Sequence, residues 1–109
     1  MTPLHPGLRP ALSAVLCCIA LGAQAQTAAP PSLQIRSLAA TCAACHGTDG
    51  KAEAGAGLIG LKGRDKDYLV AQLTAFRDGT RSATVMHQIA KGYTPEQIDQ
   101  LAAYFAAQK

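Results

Sequence analysis

Along most of the chain, apolar positions recur at the spacing of helices. Leu33, Leu38 and Ala39 mark a first helix, expected over Ser32 to Ala44. Leu69, Leu73 and Phe76 share a face at i, i+4 and i+7, with Tyr68 and Gln72 beside them. That second helix is bounded by Asp65 as N-cap and Gly79 as C-cap, and its charged residues Lys66, Asp67, Arg77 and Asp78 form a solvated face. A third helix opens on Thr94-Pro95-Glu96-Gln97, where threonine caps, proline takes the first helical position and glutamine closes a capping box. Its stripe is Ile98, Leu101, Ala102 and Phe105, flanked by Tyr104, and it is expected to pack across the first helix. Between the second and third lies Ser82–Lys91, with room for one or two helical turns through Ile89. No alternation of Val, Ile or Thr at a period of two occurs, so the pattern is one of helices and loops.

One stretch breaks this pattern. Residues 47–63 hold six glycines (47, 50, 55, 57, 60 and 63), which a helix interior does not tolerate. Leu58, Ile59 and Leu61 give the stretch apolar atoms to lay on a surface, so it reads as a packed loop rather than a flexible linker.

The N-terminus has a different character. Arg9 and the amino terminus precede a 13-residue apolar run, Ala11 to Ala23, which ends in the small-residue pattern Ala23-Gln24-Ala25. This is the layout of an export signal, and the run is shorter than the ~20 apolar residues a membrane span needs. The expected organisation is a signal peptide over residues 1–25, a flexible segment over 26–34 and one domain over 35–109. The mature chain is then expected in the periplasm, a compartment that permits disulfides, with no membrane span. Cys17 and Cys18 leave with the leader, since the bulky Val15 and Leu16 before them do not suit lipoprotein processing.

About 84 residues remain, enough for one domain whose small core calls for a staple. The full chain is 49% hydrophobic and 16% charged, which excludes a disordered chain. Formal charge falls from +3 to +2 once Arg9 is removed, too mild a balance for nucleic-acid binding. Any staple must therefore involve the two cysteines left, Cys42 and Cys45.

These stand in Cys42-Ala43-Ala44-Cys45-His46, and C-x-x-C-H is the attachment signature of c-type haem. Thiols three residues apart on a helical turn face one side and can reach the two vinyl groups of one porphyrin as thioethers. His46 follows at once and presents an imidazole to the iron, while Ala43 and Ala44 allow close approach. A structural zinc site would need four ligands, and the mature chain offers only Cys42, Cys45, His46 and His87 in unsuitable spacing. A thioredoxin-like redox pair expects a βαβ setting, and a plain disulfide leaves His46 unexplained.

The second axial ligand follows by subtraction. Electron-transfer haems commonly pair histidine with methionine, and beyond the leader the chain holds a single methionine, Met86, 40 residues after His46. A lone methionine is ordinarily core filler. The alternatives are its neighbour His87, or an open position.

With these residues in view, the chain resembles the class I c-type cytochromes over nearly all of residues 35–107. The matching blocks are Cys42–Gly50, Tyr68–Arg81, Met86–Tyr93 and Ile98–Phe105. The second and third blocks are most similar to the small haem subunit of flavocytochrome c sulfide dehydrogenase. The resemblance implies an all-α class I cytochrome c fold, three main helices around one covalent haem c, with first and last helices crossing. It also implies thioether bonds at Cys42 and Cys45 and axial ligation by His46 and Met86. Relatives commonly read Pro-x-Leu-x-Gly after the glycine loop, and the proline carbonyl accepts a hydrogen bond from the ligand histidine. Here the run is Ile59-Gly60-Leu61-Lys62-Gly63, with a carbonyl still available from Ile59.

The implied function is single-electron transfer with no substrate site and no catalytic residue of the chain's own. Three roles compete. The chain could be the haem subunit served by a flavoprotein (FAD) that oxidises sulfide, a free-standing shuttle to a terminal oxidase or reductase, or a haem enzyme or gas sensor with an open iron. No G-x-G-x-x-G follows a strand, so any flavin belongs to a partner. Lys62, Arg64 and Lys66 could form a docking patch, although a solvated face is the plainer reading.

Overall fold

A computed structural model describes residues 30–109 of the chain. The expected signal peptide, with Cys17 and Cys18, lies outside the described residues, as does the start of the segment expected over 26–34. Five helices follow in order: α1 (Leu33–Ala40), α2 (Ala43–His46), α3 (Lys66–Arg77), α4 (Met86–Ala90) and α5 (Pro95–Ala106). A 3-10 turn, Thr48–Gly50, follows α2, and no strand occurs among the described residues. The fold is all-α.

The first helix expected over Ser32–Ala44 is two helices. It starts where expected, with the Ser32 hydroxyl accepting from the Ile35 amide, but it breaks at Thr41. There the ladder tightens from four residues to three: the Thr41 and Cys42 amides bond to the carbonyls of Leu38 and Ala39 at 3.2 and 3.0 Å. The Thr41 hydroxyl also donates to the Leu38 carbonyl at 2.7 Å, a backbone bond by which threonine bends helices. Four-residue spacing resumes with the His46 amide on the Cys42 carbonyl at 2.9 Å. Past the break, Cys42 caps a short helix that carries Cys45 and His46.

The other boundaries follow their sequence signals. Asp65 accepts from the Tyr68 amide at 2.8 Å and starts α3. Gly79, with φ +75, reverses the chain after it. The capping box of α5 is complete: Thr94 accepts from the Gln97 amide at 3.2 Å, and the Gln97 side chain accepts from the Thr94 amide at 2.9 Å. The Ser82–Lys91 segment forms the short α4.

The core is built on α5. Ile98, Leu101, Ala102 and Phe105 are all buried, and Ile98 and Leu101 are the largest fully buried side chains. Removing each from water contributes about 1.5–3 kcal/mol. Ala39 of α1 and Leu69 of α3 join Leu101, Ala102 and Phe105 in one cluster, so α5 packs on both α1 and α3 as the stripes require. α4 in turn packs on α3, with Ala90 fully buried. Leu33, assigned by pattern to the apolar face of α1, is instead 79% exposed, in the first turn of the helix.

The glycine loop is pinned rather than free. The Gly50 carbonyl accepts from the Leu61 and Lys62 amides at 2.8 and 3.1 Å, and the Gly63 amide bonds to the Phe105 carbonyl at 2.9 Å. Gly50 has φ +77, and a Cβ there would lie 2.9 Å from Leu61 Cβ, the Lys62 amide nitrogen and Phe105 Cδ1. Only glycine lets the loop close onto α5 at this point. In the Lys62, Arg64, Lys66 group, Lys66 pairs with Asp99 at 2.7 Å, and Arg64 donates to the Gly60 carbonyl at 2.8 Å while lying over the Tyr68 ring.

Candidate functional site: the C-x-x-C-H helix and its surroundings

α2 gathers the three residues of the motif on little more than one turn. Cys42 is its N-cap and half-buried, and Cys45 is exposed. Burial pushes the Cys42 thiol up in pKa, against the lowering effect of the Thr41 and Tyr93 hydroxyls. His46 is buried, with 9% of its surface exposed. Gly47 then turns the chain with φ +79, where a Cβ would collide with the Lys51 carbonyl oxygen at 1.9 Å.

His46 is fixed by one bond. Its Nδ1 donates to the Ile59 carbonyl at 2.7 Å, which is the acceptor that the sequence leaves available where relatives carry proline. A carbonyl can only accept, so the proton sits on Nδ1 and the Nε2 lone pair is free to bind a metal. This is the second partner that metal-binding histidines ordinarily have, and it holds the ring's orientation and raises its basicity.

Met86 stands apart from the motif on a separate element, as the first residue of α4, half-buried, with α4 carried by α3. His87 follows on the next position of the same helix, with its Nδ1 buried and without a hydrogen-bond partner among the described residues. Successive helix positions diverge by about 100°, so the two side chains cannot present themselves in the same direction.

The elements that carry these residues also carry uncovered apolar side chains. Leu58 and Ile59 in the glycine loop, Tyr68 in α3, and Val85 and Ile89 around α4 are 38–53% exposed. In so small a domain that is much apolar surface left bare, and a flat apolar macrocycle would cover such surface. Among the described residues no three His, Cys, Asp or Glu converge as a bare metal ion would need, so the zinc alternative has no geometry. The donor set fits an iron porphyrin: two thiols on one turn for covalent attachment, a buried imidazole with Nε2 free, and a thioether on a separate arm. No helix among the described residues is long and apolar enough to cross a membrane.

The profile of the family described as cytochrome C oxidase, cbb3-type, subunit III matches residues 36–105. The chain belongs to the c-type cytochromes. Its cofactor is therefore haem c, covalently bound, and its activity is electron transfer. The cytochrome subunit of sulfide dehydrogenase from Chlorobaculum tepidum is 38% identical over 86 residues, which is 77% of this chain and 76% of that protein. Cytochrome c-554(548) of Halomonas halodenitrificans is 40% identical over 72 residues, or 63% of this cytochrome and 86% of its relative. The thiosulfate dehydrogenase electron acceptor of Thiomonas intermedia is 40% identical over 82 residues, and there the cytochrome spans only 35% of the relative's length.

Sequence reasoning missed two hydroxyl contacts. Tyr104 donates to Asp49 at 2.7 Å, tying α5 to the turn after the haem motif. Tyr93 meets Thr41 at 3.4 Å, across 52 residues of chain. Helical periodicity places Tyr104 beside the buried stripe, but no local signal names the partner of either hydroxyl.

Proposed function

We propose that this cytochrome is an exported, periplasmic electron carrier and the haem subunit that accepts electrons from a flavoprotein sulfide dehydrogenase. One observation carries the reading: the similarity to the cytochrome subunit of sulfide dehydrogenase runs over about three quarters of both chains, at 38% identity. Haem c supplies a one-electron couple when bound. The work of the chain is to hold it and set its surroundings.

Cys42 and Cys45 would form the thioether bonds to the haem, and His46 and Met86 would hold its iron. His46 would bind through Nε2, because its Nδ1–H donates to the Ile59 carbonyl and so holds the imidazole in one tautomer and one orientation. The exposed Leu58, Ile59, Val85 and Ile89 would exclude water from a ring laid on them and so favour the less charged, reduced state. Were His46 and Met86 both to hold the iron, no position would be left on it for a substrate, and oxidation of sulfide would belong to the FAD-containing partner.

A second reading, a free shuttle to a terminal oxidase or reductase, draws support from the similarity over 86% of cytochrome c-554(548). Gentle purification from the native periplasm, followed by haem absorbance through gel filtration, separates the two. The proposal expects a larger complex with flavin bands that sulfide reduces. A peak at the mass of the mature chain, with haem bands alone and no response to sulfide, would establish the shuttle instead.

A further inference from the structure

We propose that Tyr93 is a positioning residue for Met86: its hydroxyl, set against Thr41, clasps the arm that carries Met86 to the turn that carries the haem attachment. The inference rests on the reading of Met86 as axial ligand.

The direction of the contact follows from counting protons. The single proton of the Thr41 hydroxyl goes to the Leu38 carbonyl at 2.7 Å, so at the 3.4 Å contact Tyr93 must donate and Thr41 accept. Thr41 directly precedes Cys42, and Cys42 and Tyr93 pack against the same core cluster. The Cys42 sulfur persists as a thioether after attachment, so this neighbourhood lies at one anchor of the haem.

Tyr93 can act on Met86 because the chain between them is stiff. α4 is followed directly by two tight turns, with the Gly92 amide on the Ile89 carbonyl and the Tyr93 amide on the Ala90 carbonyl, both at 3.1 Å. Ala90 is fully buried, and the Tyr93 ring packs against the core cluster. The arm packs through α4 on α3. Among the described residues, Tyr93–Thr41 is the one side-chain hydrogen bond that joins residues 82–94 to any residue before α3. Cutting it leaves the fold's buried stripes intact and frees one end of the Met86 arm.

The test uses the ferric holoprotein and imidazole, which binds the iron only when the methionine leaves. Stopped-flow binding is followed by the loss of the iron–sulfur charge-transfer band in wild type, Tyr93→Phe, Thr41→Val, the double variant, and Tyr104→Phe as a control for loss of a tyrosine hydroxyl elsewhere. The clasp predicts that Tyr93→Phe binds imidazole roughly fivefold faster, that Thr41→Val does likewise, and that the double variant is no faster than either single one. Tyr104→Phe should match wild type. An unchanged rate in Tyr93→Phe, or equal acceleration by Tyr104→Phe, would overturn the clasp. Met86→Ala reports on the underlying reading separately: a variant that keeps the charge-transfer band would remove Met86 as ligand whatever Tyr93 does.

Discussion

His46 Nδ1 lies 2.7 Å from the carbonyl oxygen of Ile59, a backbone acceptor that survives the absence of proline at that position. The bond depends on where the loop runs and not on which side chain stands at 59. Among the described residues the Ile59 amide makes no backbone bond, so proline there would remove none. Ile59→Pro is therefore expected to keep the ligand orientation while restricting the unfolded chain, adding about 0.5 kcal/mol and a few degrees in Tm. Thermal melts with potentiometry check this; a large shift in potential with no gain in Tm would mean the loop had moved.

The Tyr104–Asp49 bond carries a second prediction. Asp49 has φ +53, a conformation that costs most side chains about 1–2 kcal/mol, and Tyr104 supports it at 2.7 Å. Asp49→Ala keeps the strained backbone and loses the acceptor, so a loss of roughly 2–3 kcal/mol is expected in denaturant titrations. Asn, which tolerates this conformation and still accepts, should cost less than half as much.

The same bond gives a pH dependence. The hydrogen bond to Asp49 raises the pKa of Tyr104, since the phenol donates to a carboxylate and the phenolate would be repelled by it. A raised folded-state pKa means that the stabilisation is complete below the unfolded value, about 10, and is lost as pH rises through the folded one. Wild type should therefore lose stability above about pH 10 more steeply than Tyr104→Phe. Parallel melting curves for the two proteins across that range would contradict the assignment.

Much of this molecule is legible in its sequence because the helix signals are local. Asp65, Gly79 and the Thr94–Gln97 box set boundaries through bonds to residues within a few positions, and the α5 stripe foretells its buried face. The C-x-x-C-H motif is likewise local, so its chemistry can be read directly. The break at Thr41 was hidden because a threonine hydroxyl can either sit idle on a helix or bend it, and the surroundings decide. Tyr93–Thr41 and Tyr104–Asp49 join residues more than 50 apart, which periodicity does not address. Leu33 differs for the opposite reason: its spacing is helical, but its side chain is exposed.

Gly50 offers a sharper test of the packed loop. Gly50→Ala combines a positive φ with three contacts at 2.9 Å, two of them to Leu61 Cβ and Phe105 Cδ1. Strain and overpacking together should cost roughly 2–4 kcal/mol, a large part of the stability of so small a domain. Holoprotein yield and Tm should both drop. Gly55→Ala, where a Cβ meets nothing within 4 Å, has only its φ of +83 to overcome and should cost far less.

Met86 sets the potential in this account. Replacing it with Ala removes the thioether and should lower the midpoint potential. Potentiometric titration of the purified variant checks the sign; an unchanged potential would transfer the role to another group, with His87 next on the same helix.

The most direct test of the electron-carrier assignment is carbon monoxide added to the dithionite-reduced holoprotein, followed by visible absorption. A haem ligated on both sides by His46 and Met86 should leave the ferrous spectrum unchanged in wild type, while Met86→Ala should bind the gas. Stoichiometric binding by the wild-type protein would show an open iron and contradict the account, pointing to a haem enzyme or gas sensor.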